Sequence, residues 1–190
     1  MTTLWLPDPP LRDRDMGIVL RPWGRPGDAR ALASAWADPE IVGVAIPLGD
    51  RSEPAARRWI AGDAERRRRG VALDLVIECE GTARYTQLPN AEHATGAHGV
   101  LGEVGLAHFD EQRRAEIGFW LTEAARGRGI ASAAVAMLTD WVLDPYGLAR
   151  RVVFARVSPG NDPAAWVLER GGYTRMGAAS GYDIWARQST

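Results

Sequence analysis

Lysine is missing altogether from these 190 residues; all 23 basic side chains are arginine. That removes Schiff-base lysine chemistry and the lysine of a Walker-type phosphate loop. Cysteine occurs once, at Cys79, so neither an internal disulfide nor a cysteine-based metal cluster is expected, and a reducing cytoplasm fits best. The three histidines, His93, His98 and His108, lack a metal-ligand spacing, and no metal is expected. An excess of one charge is lacking too. The 24 acidic and 23 basic residues leave a net −1, which argues against a nucleic-acid partner or an acidic membrane surface. No stretch approaches the roughly 20 apolar residues of a membrane span. Residues 1–10 carry Asp8 and prolines where an export signal would have a basic run followed by an apolar one.

What is present describes one globular domain. Hydrophobic residues make up 46% and charged residues 25% of the chain, and eight tryptophans run from Trp5 to Trp185, a balance that can close a core and that excludes extensive disorder. Residues 1–16, rich in Pro, Asp and Arg, read as an irregular lead-in to a domain over 17–190. A short apolar strand at 17–21 stops at Pro22. Helices follow at 28–37, with Ala31, Leu32, Ala35 and Trp36 on one face, and from a Ser52 cap to Arg69. From Val71 the period becomes two: Val71, Leu73, Leu75, Ile77 and Cys79 share one face, and Asp74, Glu78 and Glu80 the other. Residues 81–98 have no sustained period and read as a long connection. Strands at 100–109 and 115–121 form a hairpin. A helix opens after Gly127 with Ile130, Ala133, Ala134, Met137, Leu138, Trp141 and Val142 at spacings of three and four. A strand at 151–157, a helix at 161–170 closed by Gly171-Gly172, and strands at 173–178 and 182–187 complete the chain. The pattern predicts an α/β fold, with helices around one mixed sheet.

The chemistry concentrates where the strand ending Glu116-Ile-Gly-Phe-Trp-Leu121 runs into Arg126-Gly127-Arg128-Gly129-Ile130-Ala131 and so into a helix. Free backbone N–H groups and the positive helix end converge there. Gly127 and Gly129 let an anion approach without a Cβ in the way, and the arginines add charge. A phosphate group suits such a loop.

These segments, followed by Asn161 and a helix ending Val-Leu-Glu-Arg-Gly-Gly-Tyr173, resemble the GNAT superfamily of acyl-CoA-dependent N-acetyltransferases. Leu20-Arg21-Pro22, Asp28-Ala29 and Ala37-Asp38-Pro39-Glu40 look like its branch that acetylates ribosomal-protein N-termini, so the resemblance spans roughly 17–187. It implies a single-domain, mostly antiparallel mixed sheet whose central strands splay apart between flanking helices. It also implies acetyl-CoA as cosubstrate, without a metal. On the family's Gln/Arg-x-x-Gly-x-Gly/Ala pattern, the pyrophosphate would lie on Arg126, Gly127, Arg128, Gly129, Ile130, Ala131 and Ser132. Phe119, Trp120 and Leu121 would pair with the pantetheine arm, and Asn161 would bond the cofactor or simply cap its helix. The acceptor implied is a primary amine, on a protein N-terminus or a small molecule; a homodimer is compatible with the pattern.

In such a reaction a neutral amine attacks the thioester, a base removes its proton, and no covalent enzyme intermediate is needed. Glu116 stands where relatives place the base, with Glu103 on the neighbouring strand as the substitute and a solvated strand carboxylate as the bland alternative. The chain departs from the pattern at the general acid, since the usual Tyr and Ser positions are Leu168 and Ala164. Tyr173, water, or unassisted departure of the thiolate remain. Cys79 shares its strand's apolar parity and reads as core. The run Arg66–Arg69 reads as a solvated helix end. Trp23, Trp36 and Trp59 are open to two roles, core and acceptor cleft. The missing acids keep one other class in view, a non-catalytic acyl-CoA-binding module. A P-loop or Rossmann nucleotide site is excluded by the absent Lys-Ser/Thr and three-glycine spacings.

Overall fold

Leu73, Leu75 and Ile77 are fully buried on one face of their strand, with Asp74 and Val76 on the other. That two-sided burial means the sheet is covered on both faces. The computed structural model describes residues 3–42, 49–80 and 99–189. The connection expected at 81–98, with His93 and His98, lies outside them.

In chain order the elements are β1 (Arg12–Asp13), β2 (Ile18–Pro22), α1 (Asp28–Ala37), α2 (Pro39–Val42), α3 (Glu53–Ala61), α4 (Asp63–Arg68), β3 (Leu73–Cys79), β4 (Val100–Ala107) and β5 (Arg114–Leu121). A 3-10 turn (Glu123–Ala125), α5 (Ile130–Leu143), β6 (Val152–Val157), α6 (Asp162–Arg170), β7 (Thr174–Ala179) and β8 (Tyr182–Gln188) follow. The strands form one sheet in the order β1-β2-β3-β4-β5-β6-β8-β7. Every neighbouring pair is antiparallel except β5 and β6. The mixed, mostly antiparallel α/β architecture expected from the sequence is the one observed.

Helix α5 covers one face. Its Ile130, Ala134, Val135, Leu138 and Val142 pack on Leu75, Val104, Leu106, Ile117, Val153 and Ala155, with Leu168 of α6 joining them. On the other face, Leu32, Ala35 and Trp36 of α1 and Ala56 of α3 pack with Trp23 on Val76, Val100 and Trp120. Along β4 the register to β3 slips, Ile77 facing Gly102 and Glu78 facing Val100. Leu101 is thus a bulged residue, and the slip turns Val100 to the α1 face and Leu101 to the α5 face, the reverse of the alternation that runs from Gly102 to Leu106.

Three local readings differ from the pattern. The lead-in contributes β1, which pairs with β2. The helix expected from Ser52 to Arg69 breaks at Gly62: Ser52 caps α3 by accepting the Ala55 N–H, and α4 restarts at buried Asp63, which accepts from Arg67 at 3.1 Å. Helix α4 then ends in a Schellman turn, with Gly70 left-handed and the Val71 N–H bonded to the Arg66 carbonyl, so the strand begins at Leu73 and Val71 is exposed. Among the described residues no helix is long and apolar enough to cross a membrane.

Helix α1 is fastened to β2 by a buried ion pair. Arg21 donates to both oxygens of Asp28, at 2.8 and 2.9 Å, and Asp28 also accepts the N–H groups of Gly24 and Arg25. Burial acts against the Asp28 charge, but these hydrogen bonds outweigh it and hold its pKa below the ordinary value. Removing one partner of a buried pair costs about 3–5 kcal/mol when the other charge is left stranded, and here Glu78, at 2.8 Å from Arg21, offsets part of that cost. Asp28→Ala should therefore lower the melting temperature steeply, as read by circular dichroism. A surface pair such as Arg58 with Asp50 should change it by less than about 1 kcal/mol equivalent when removed.

Candidate active site

Strands β5 and β6 run side by side for only three rungs, Arg114 with Val152, Ala115 with Val153 and Glu116 with Phe154. Beyond Glu116, β5 keeps its bonds to β4 as far as Leu121 while β6 keeps its bonds to β8 as far as Val157. The two strands therefore part, and among the described residues no strand lies beside the backbone edge of β5 from Ile117 to Leu121. Phe119, Trp120 and Leu121 lie on that edge.

The edge leads into the loop before α5. Gly127 and Gly129 have φ of 71 and 80, and Gly129 is the N-cap of α5 with no side chain capping the helix. The first N–H groups of α5 therefore have no intrahelical acceptor. Among the described residues nothing lies within 4 Å of where a Cβ on Gly127 would stand, and only Met16 Cε, at 3.8 Å, lies that close to one on Gly129. Ile130 and Ala131 are buried, so they can offer an anion only their backbone. Arg126 is committed elsewhere: its guanidinium pairs with Asp38 and Glu40 and bonds the Leu121 carbonyl. Arg128 reaches back to the Ala124 carbonyl at 2.9 Å. The cradle is thus made of N–H groups and a helix end, with less arginine charge than the sequence suggested. Asn161 caps α6 by accepting the Ala164 N–H at 3.2 Å, which leaves its amide N–H groups available.

The α1 face of the sheet carries the acids. Trp23 and Trp120 donate their indole N–H groups to the two oxygens of Glu103, at 2.8 and 3.3 Å. The two indoles stack with centroids 6.5 Å apart, and Trp59 meets Trp23 and Trp36 edge-on. Burial, followed by the charge of Asp74, pushes Glu103 up to about 8, against the indole hydrogen bonds. Burial also pushes Asp74 up to about 6, opposed by Arg66 and reinforced by Asp63. Arg66 lies 4.1 Å over the Trp59 ring and donates to the Trp59 carbonyl. It is a cation folded into the tryptophan layer and not part of a solvated helix end.

Glu116 shares this face with Gly118 and Trp120 but stands at the last rung before β5 and β6 part. Arg156 donates to its Oε1 at 2.8 Å, and His108 Nδ1 lies 2.6 Å from its Oε2. The departures at the acid positions hold in space. Leu168 is buried, and Tyr173 is buried with its hydroxyl 2.6 Å from that of Thr139. Burial pushes the Tyr173 phenol well up from its ordinary value, a poor setting for a proton donor. Cys79 is half-buried against the α5 core, and burial, with Glu78, pushes its thiol up. Among the described residues no group of acids, His and Cys is arranged to hold a metal.

Sequence reasoning missed Asp74 as a neighbour of Glu103, because the alternation placed it only on a solvent face. The register of β3 on β4 brings the two together. It also missed the hold of Asp38 and Glu40 on Arg126, across more than 80 residues, for which the sequence carries no signal.

Two outcomes follow. The native state holds protons on Glu103 and Asp74 that the unfolded chain has released, so stability should fall as pH rises from the ordinary carboxylate range to about 8. Glu103→Gln should flatten that fall in melting temperature measured from pH 5 to 8. Tyr173→Phe should cost about 1 kcal/mol of stability in chemical denaturation through the lost bond to Thr139, and leave any turnover within about tenfold, because the hydroxyl faces the core.

A profile of the acetyltransferase (GNAT) domain matches residues 18–174. The chain is 34% identical over 98 residues to a putative ribosomal N-acetyltransferase, YdaF, of Bacillus subtilis, a match over 50% of this chain and 52% of that protein. It is 27% identical over 159 residues to the N-acetyltransferase p20 of Bacillus licheniformis, over 82% of this chain and 79% of that one. The chain thus matches about half the length of the first relative and most of the second. Among solved structures, Mycobacterium smegmatis RimJ in complex with CoA-disulfide superposes with a TM-score of 0.71 at 24% identity, covering 95% of this chain and 86% of that one. Vibrio cholerae spermidine N-acetyltransferase, in complex with CoA and spermine, superposes with a TM-score of 0.66 at 16% identity, covering 91% and 96%. With the parted strands and the uncapped α5 cradle already in place, a domain match over most of its length makes this chain a member of the GNAT acetyltransferase family.

Proposed function

We propose that the protein moves an acetyl group from acetyl-CoA to a primary amine by direct attack in a ternary complex. The observation that carries the reading is the open edge of β5 running straight into the uncapped, glycine-lined start of α5. An extended amide chain ending in phosphates needs both features, in that order. The residues present suit it: the N–H groups from Gly127 to Ser132 take the pyrophosphate, the backbone of Phe119, Trp120 and Leu121 takes the amide arm, and the Asn161 amide adds a donor. Acetyl-CoA, when bound, supplies the thioester that the amine attacks.

In this reading Glu116 removes the amine's proton. It is the acid on β5 itself, at the point where the strands part, with Arg156 against one of its oxygens and the exposed His108 against the other. One observation favours a second assignment: burial pushes Glu103 up to about 8, which suits a base at neutral pH. The thiolate leaves to water, since neither Leu168, Ala164 nor Tyr173 presents an acid. Relatives named for ribosomal proteins and for spermidine support a protein N-terminus or a small amine as acceptor. The cytoplasm, where acetyl-CoA and reduced thiols coexist, suits such a reaction.

Acetyl-CoA should raise the melting temperature, because a ligand bound to the native state alone stabilises it by mass action. Gly129→Val, a β-branched residue at a left-handed position in the cradle, should abolish the shift. No shift at millimolar acetyl-CoA in the native protein would sink the assignment. A shift without thiol release across a broad amine panel would make the chain an acyl-CoA-binding module. With release established, Glu116→Gln should cut turnover by about 10² at pH 7 with the shift intact, and Glu103→Gln by less than about tenfold; the reverse ranking transfers the role to Glu103.

A further inference from the structure

One row of residues crosses the α1 face of the sheet from β3 to the parted edge of β5. Asp74 pairs with Gly105, and Gly105 with Gly118. The Asp74 Oδ1 lies 2.8 Å from where a Cβ on Gly105 would stand, so the carboxylate leans over the β4 backbone and any side chain at position 105 would displace it. Among the described residues, Asp74 accepts one hydrogen bond, from Arg66 to Oδ2 at 3.4 Å. Gly118 differs from Gly105. Among the described residues nothing lies within 4 Å of where its Cβ would stand, and it is not among the glycines with positive φ. Neither backbone conformation nor a close neighbour calls for glycine there.

The missing side chain leaves a cell in the middle of the face. Along β5 its walls are Glu116 and Trp120, each about 6.5–7 Å from Gly118 by strand geometry. Across the sheet they are Asp74, leaning over Gly105, and Glu103, whose own strand partner is Trp120. The fourth side is the edge that β6 has left. The charged groups facing Asp74 are Arg66, Asp63, Arg67 and Glu103, and those facing Glu116 are Arg156 and His108.

Resting on the acetyl-transfer reading, we propose that Gly118 and Asp74 select the acceptor: Gly118 admits only an unhindered primary amine to the edge of β5, and Asp74 is a positioning residue that draws the amine in as a cation. An ammonium entering by the open edge meets Glu116 and Trp120 along β5 and Asp74 across the sheet, an arrangement that suits a cation. It gives its proton up at the edge, where the neutral amine reacts. Branching at the amine-bearing carbon has to share the space with Trp120.

The first test needs no knowledge of the acceptor. In Gly118→Cys the introduced thiolate stands where the amine would. It should attack the thioester carbonyl of acetyl-CoA, forming a C–S bond to the protein as the C–S bond to CoA breaks and CoA leaves as the thiol. Mass spectrometry should find one acetyl group on residue 118, and none on Ala178→Cys, which lies on the exposed edge strand β7. A thiol that stays unmodified in a Gly118→Cys protein still stabilised by acetyl-CoA overturns the cell and leaves the acetyl-transfer reading standing. Absence of any acetyl-CoA shift in the native protein overturns that reading, and the inference with it.

For Asp74→Asn, the acceptor is the best substrate among spermidine, n-butylamine and a seryl peptide. Acceptor KM should rise about tenfold at pH 7, with kcat and the acetyl-CoA shift little changed. The variant and the native enzyme should converge below pH 6, where Asp74 is protonated in both senses that matter, neutral and unable to hold a cation. Equal KM values at pH 7 and 8 overturn the role of Asp74, because a structural part alone would not separate KM from kcat or depend on pH in this way.

Discussion

A β-strand cannot leave its neighbour without leaving N–H and C=O groups that need partners, and this chain does so in the centre of its sheet. Six rungs tie β5 to β4 and six tie β6 to β8, while only three tie β5 to β6. Each strand is held from its outer side, and the parallel seam, the weaker kind of pairing, is the one that opens. A free sheet edge at the surface invites aggregation. Here it is enclosed between α5 on one face and the tryptophan layer under α1 and α3 on the other. The edge is thus left with backbone groups that a ligand can satisfy, and the uncapped start of α5 beside it favours negative charge.

The acids around this seam are held in two contrasting ways. Glu116 has a cation and an imidazole on its oxygens. Glu103 has two neutral indole donors and Asp74 for company, and burial pushes it up to about 8. Neutral donors stabilise a buried carboxylate far less than an arginine does. The tryptophan layer therefore does more than fill space: it excludes water from one acid while leaving the other within reach of solvent.

How much of this was legible in the sequence depends on the distance along the chain between the residues involved. The cradle was legible because Gly127, Gly129 and the helix they open are contiguous, and the periods named Leu73, Leu75, Ile77, Ile130, Ala134, Leu138 and Val142 as core, which are buried, but missed Val76 and Val135, because a strand and a helix packed on more than one side bury more than one stripe. Gly62 broke a helix that periodicity alone carried through, because the break rests on Asp63 turning inward to arginines. The Glu103 site was only half legible: the acid could be named from its strand, but its donor Trp23 lies 80 residues away. Asp74 reaches the site through register, which slips by one residue at Leu101, and a period-two pattern carries no information on register.

Arg126 carries the argument one step further. On the loop pattern it belonged to the phosphate, yet its guanidinium is taken up by Asp38 and Glu40, at the junction of α1 and α2. Those acids belong to the tryptophan face, and Arg126 belongs to the loop that opens α5 on the opposite one. The pair therefore bridges the two sides of the parted seam at its open end, much as Arg21 and Asp28 fasten α1 at the other end of the same helix. With Arg126 so engaged, the loop's capacity for an anion rests on oriented N–H groups, which bind by geometry and not by net charge. That arrangement suits a chain with a net charge of −1: an anion is drawn to one fixed point, and the surface as a whole need not be basic.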